Sequence, residues 1–117
     1  MIYDVKNYSN FAELMESDSD TANLLLKELG LNNQDVGKRL WMADKLCVYP
    51  NIHNYCVYEL TDGWRYNYQL SGGFNGSPNP VNYIDAIALG VDLIDSLSSK
   101  FCRLLPNGKV VTTDYEW

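Results

Sequence analysis

Asn10, with Glu13 three residues on, opens an apolar-periodic stretch with the pattern of a capping box in which asparagine replaces the usual serine or threonine, and it predicts a helix from about Phe11. The tract "ESDSD", Glu16 to Asp20, interrupts that helix, because Ser and Asp side chains bond to nearby backbone. "TANLLLKELG" resumes it, with Gly30 as its stop. Val36, Leu40, Ala43 and Cys47 then recur at helical spacing and predict a third short helix over "NQDVGKRLWMADK".

Ahead of these helices, "MIYDV" has the β-favouring residues of a short first strand. "LCVYPNIHNYCVYEL" reads as strand and turn, and "YCVYELTDGWRYNYQL" as a hairpin. A three-residue loop, Thr61, Asp62 and Gly63, pairs Leu60 with Trp64, Tyr58 with Tyr66 and Cys56 with Tyr68 on one apolar face. Glu59 then faces Arg65 on the polar side, with Val57 opposite Asn67 and Tyr55 opposite Gln69.

Asn79 and Pro80 supply a cap and a first helical position. From there Ile84, Ile87, Val91, Ile94, Ser98, Phe101 and Leu105 alternate by three and four, predicting one long helix, with "SLSSK" as the point of a bend or break. "LLPNGK" supplies a turn, and "KVVTTDYEW" a final strand with Val111, Thr113, Tyr115 and Trp117 on one side. The expected fold is α+β: a mostly antiparallel sheet of three to five strands, N-terminal helices, and one long C-terminal helix packed on a face.

Length and composition narrow the picture. At 117 residues, the expectation is a single domain over 1–117. No leader pattern and no run of eighteen apolar residues is present, so a cytoplasmic, non-membrane protein is expected. Cys47, Cys56 and Cys102 are odd in number and unpaired in pattern, which suits free thiols in a reducing compartment. A formal charge of −6 opposes phosphate backbones; "GKR" at Gly37 to Arg39 is the only basic hint, and "LCVYPNIHNYCVYEL" leaves no recognition helix, so direct nucleic-acid binding is not expected.

Candidate chemistry is sparse. Gly72 to Ser77, "GGFNGS", stands between a strand and a helix start, yet no lysine follows Gly76 and no G-x-G-x-x-G exists, so it reads as a connector. Cys47, His53 and Cys56, with Asp44 upstream, lack the second half of a zinc site. His53 and Cys56, three apart on a strand, would point to opposite faces, unsuited to nucleophilic catalysis. The pairs Asp92 with Asp95 and Glu13 with Glu16 read as solvated helix faces. No catalytic residue, metal or cofactor is therefore expected.

Nine tyrosines and an acidic surface suit protein binding instead. The expected function is a small acidic inhibitor, of the immunity-protein, toxin-antagonist or phage anti-defence type, that occludes a basic surface of a partner protein. The expected contact residues are Glu13, Glu16, Asp18, Asp20, Trp41, Tyr55, Arg65, Asn67 and Gln69, and Trp117 is a further candidate for exposure. Two alternatives are a small-molecule or nucleotide binder using Gly72 to Ser77, and an oligomeric structural subunit paired through its strands.

Overall fold

The computed structural model describes residues 3–31, 40–62, 84–96, 101–115 and 117. Strand β1 (Lys6–Tyr8) leads into helices α1 (Phe11–Ser17) and α2 (Ser19–Glu28). After a 3-10 turn at Leu40–Ala43 come β2 (Leu46–Tyr49) and α3 (Ile52–Thr61), then α4 (Ala86–Ser96), β3 (Cys102–Leu104) and β4 (Val110–Thr113). The strands form one antiparallel sheet in the order β1-β2-β4-β3, so the fold is α+β as expected.

The two N-terminal helices form where their local signals stand. Asn10 Oδ1 accepts the Glu13 N–H at 2.9 Å, and a Glu13 carboxylate oxygen accepts the Ser9 N–H at 3.2 Å. Asp18 ends α1 by donating its own N–H to the Leu14 carbonyl at 2.8 Å, and caps α2 by accepting the Thr21 N–H. At the far end of α2, Gly30 turns left-handed at φ +68°, while the Leu31 N–H reaches the Leu26 carbonyl and the Gly30 N–H that of Lys27. This is a Schellman closure.

The sheet is covered on both sides. Alternation along the strands puts Tyr8, Leu46, Val48 and Val111 on one face, where they pack with Phe11, Leu14, Ala22, Leu25 and Leu26 of α1 and α2. Tyr49, Cys102 and Val110 lie on the other face, against Tyr55 of α3 and Leu93 and Ile94 of α4. Successive Val110 and Val111 are therefore both fully buried, as a doubly covered strand requires.

Several expectations are corrected. Tyr55 to Leu60 is not a strand but part of α3, capped by Asn51, whose side chain accepts the Asn54 N–H at 2.9 Å. Burial on nearly all sides stabilises this helix despite its β-favouring Tyr and Val content. The proposed second arm, 64–70, lies outside the described residues. The glycine-closed three-residue loop exists at Pro106, Asn107 and Gly108 instead: the Gly108 N–H meets the Leu105 carbonyl at 2.9 Å, and Gly108 has φ +86°.

The long C-terminal helix is also not found. Helix α4 starts at an Asp85 cap, whose carboxylate accepts the Ala88 N–H at 3.1 Å, and runs only to Ser96. Residues 102–104, assigned to the same helix from their periodicity, are β3. The buried side of α4 carries Ala86, Gly90, Leu93 and Ile94, whereas Ile87, placed on the apolar stripe, is 60% exposed. The first strand is Lys6–Tyr8 rather than "MIYDV"; Leu46–Tyr49 is the strand expected at the start of "LCVYPNIHNYCVYEL", which takes Cys47 off the helical stripe it was also counted on. The capping pair Asn79 and Pro80, and most of that third helix, fall outside the described residues.

Helices α3 and α4 approach closely at Gly90, where an added methyl would overlap Ile52 Cγ2 and come within 3.3 Å of the Ile52 carbonyl oxygen. Overpacking there costs about 1–3 kcal/mol, against a gain of about 1 kcal/mol in helix propensity over glycine. Gly90→Ala is expected to lower the unfolding free energy by roughly 1 kcal/mol, and Gly90→Val by more, in urea denaturation.

Candidate functional site

The turn between β3 and β4 is the place where separate surfaces meet. On one side Lys109 donates to Asp18 Oδ2 at 2.7 Å, and the Asn107 amide donates to Thr21 Oγ1 at 3.3 Å. Thr21 Oγ1 in turn donates to Asp18 Oδ2 at 2.7 Å. The Lys109 ammonium, followed by the Thr21 hydroxyl, holds the Asp18 carboxyl below the usual carboxylate range. A polar cleft of about 530 Å³ lies beside this pair, lined by Asp20, Asn23, Lys27 and Asn107.

On the other side of the turn is a cleft of about 520 Å³ lined by Ile52, Ile87, Leu104, Leu105 and Pro106, with His53 also in its lining. The exposed Ile87 side chain makes this the most apolar feature reaching solvent along this edge. Carboxylates and an apolar surface therefore flank one hairpin turn.

The expected contact residues divide. Glu13, Glu16 and Asp20 are exposed, as a contact role needs. Asp18 is half-buried and committed to Lys109, so it serves the fold first. Tyr55 is corrected: it is only 1% exposed, because α3 turns it onto the sheet, and it is no part of a surface. Trp41 falls in the 3-10 turn, while Arg65, Asn67, Gln69 and the Gly72 to Ser77 loop lie outside the described residues. Trp117, expected at the surface, packs half-buried against the α1–α2 core.

Among the described tyrosines, Tyr3, Tyr8, Tyr49, Tyr55 and Tyr58 are taken up by packing, whereas Tyr115 is exposed; Tyr66, Tyr68 and Tyr83 lie outside the described residues. Tyr49 meets Tyr55 edge-on at 5.5 Å and Tyr58 at 5.4 Å, and Tyr3 caps Tyr58 edge-on at 5.5 Å. Burial, together with the hydrogen bond to Asp62, pushes the Tyr3 phenol up to about 12. Burial also raises Tyr49 and Tyr58. Glu59, expected on an exposed polar face, is buried on α3, and its charge adds to the upward shifts of Cys56 and Cys102.

The cysteine and histidine candidates do not form a site. His53 is exposed in the first turn of α3, Cys56 is on its buried side, and the Cys47 thiol donates to Asn7 Oδ1 across the β1–β2 pair at 3.1 Å. Among the described residues no group of three or more His, Cys, Asp or Glu is placed to hold a metal ion, and no helix is long and apolar enough to cross a membrane. No protein-family model, curated protein or solved structure matches the chain.

Sequence reasoning missed Ile87 and the Asp18–Lys109 pair. Rotating the apolar stripe of α4 by one position, to begin at Ala86 after an Asp85 cap, would have exposed Ile87. No local pattern announces Asp18 with Lys109, which are 91 residues apart.

Two outcomes are expected. Asp18→Asn keeps the α2 cap and removes the charge; because the folded carboxyl titrates below its unfolded value, the pair stabilises above about pH 4 and is lost as pH falls below it. The variant should be less stable by roughly 0.3–1 kcal/mol at pH 7, the difference vanishing near pH 2 in denaturant titrations. For the thiols, burial pushes Cys56 up to about 11 and Cys102 up to about 12. In iodoacetamide labelling at pH 8 the half-buried Cys47 should react first, and Cys56 and Cys102 only on unfolding.

Proposed function

We propose that the protein is a cytoplasmic inhibitor that binds another protein and occludes a basic surface on it, in the manner of an immunity protein or a phage-encoded antagonist of a host defence nuclease. The observation that carries this reading is the solvent exposure of Glu13, Glu16 and Asp20 along α1 and α2, in a chain of net charge −6. These carboxylates steer a basic partner into contact over a range of about 10 Å at moderate salt.

The exposed Ile87, across the β3–β4 turn, supplies the apolar anchor that charge alone lacks. Anchors set residence time, and rim charges set encounter rate. With Tyr55 buried, Ile87 joins Phe101 and Tyr115 as the exposed large apolar side chains among the described residues.

With a partner captured by affinity purification and identified, the triple variant Glu13→Gln, Glu16→Gln, Asp20→Asn should associate about ten-fold more slowly at low salt, with dissociation little changed. Ile87→Asp should speed dissociation instead. Association rates that do not respond to salt or to the triple variant would overturn the electrostatic reading.

A further inference from the structure

A third cleft, of about 380 Å³, opens between β1, the end of β2 and the Asp18–Lys109 pair. Its floor is apolar: Tyr8, Val48 and Pro50. Its charged lining is Asp4, just before β1, Lys6, the first residue of β1, Asp18 between α1 and α2, and Lys109 just before β4. Lys6 lies directly opposite Val48 in the β1–β2 register, so its stem runs beside the apolar floor.

The placement of these charges is specific. The Asp4 N–H donates to Asn54 Oδ1 at 2.7 Å, which fixes the segment against α3. Asp18 and Lys109 satisfy one another at 2.7 Å. Among the described residues the Asp4 carboxylate and the Lys6 ammonium have no hydrogen-bond or ion-pair partner, although both line the same cleft. Among the described residues, the cleft therefore offers one anion and one cation without a partner, beside a pair that is already neutral.

A ligand of single charge entering here gains one attraction and meets one repulsion. A ligand carrying both charges, a short distance apart, gains two attractions. The apolar floor selects for a hydrocarbon or aromatic body, and the volume lies at the small end of ligand sites, which run from about 300 to 1,000 Å³. We propose that this cleft binds a small zwitterion with an apolar side chain, a free α-amino acid or a dipeptide. The ligand carboxylate sits on Lys6, with Lys109 beside it; its ammonium sits on Asp4, and its side chain lies on Tyr8, Val48 and Pro50. This site is distinct from the carboxylates Glu13, Glu16 and Asp20 of the inhibitor reading and does not depend on it.

The test is a thermal-shift and calorimetric comparison of the whole chain with L-phenylalanine, L-leucine and leucyl-leucine, against two single-charge analogues, 3-phenylpropanoate and phenethylamine. At least one zwitterion should raise Tm at millimolar concentration and give a saturable heat, while neither analogue does so. Lys6→Gln and Asp4→Asn change exposed side chains and should leave the circular dichroism and the ligand-free Tm unchanged, but each should weaken binding about ten-fold or more. The proposal is overturned if no zwitterion binds at millimolar concentration, if the analogues bind as well, or if both variants bind as the parent does.

Discussion

Asp18 joins three parts of the chain at one residue. Its N–H closes α1, its carboxylate caps α2, and the same carboxylate holds Lys109 at the β3–β4 turn. Thr21 is fully buried beneath it and receives the Asn107 amide, so the turn is held by two side chains of one hydrogen-bonded group. Individually each bond contributes little, about 1 kcal/mol net. Together with the apolar core beneath α1 and α2, they tie the β3–β4 turn to the start of α2, where two of the clefts open.

The sheet imposes the second constraint. Because β2 and β4 are interior strands covered on both faces, side chains of both alternations must be apolar or hydrogen-bonded. Leu46, Val48, Tyr49, Val110 and Val111 meet that demand, and the polar residues at the same level find partners or lie at the periphery, as Cys47 does with Asn7. The tyrosines follow from this arrangement. α3 crosses the second face with Tyr55 inward and Tyr58 near the boundary, so four rings including Tyr3 and Tyr49 fill a wide gap between helix and strand. These four tyrosines serve interior volume, while Tyr115 is exposed.

What was legible in the sequence was local. Asn10 with Glu13, Asp18 within the interrupting tract, Gly30 and the Pro-Asn-Gly turn are signals resolved within a few residues, and each forms the cap, stop or turn it implies. The exposure of Glu13, Glu16 and Asp20 was legible for the same reason. Helix α3 was not, because Tyr, Cys and Val favour a pleated surface and only burial against the sheet and α4 reverses that preference; the Asn51 cap inside "PNIHN" was the available clue. The C-terminal periodicity misled because a helix and the short strand after it, separated by five residues, continued the same count by chance. The clefts were invisible, since each is lined by segments distant in the chain.

Strand order carries a consequence for how the chain comes off the ribosome. β4 emerges last of the four strands yet lies inside the sheet, hydrogen-bonded to β2 on one side and β3 on the other. Until it arrives, β2 has among the described residues a partner only in the three-residue β1, and the backbone groups of Leu46 to Tyr49 that β4 will pair await it. An apolar strand in that state is a template for pairing with another chain. Some sixty residues separate β2 from the strand that completes it, so the central pairing of the sheet is a long-range contact that closes late and slowly.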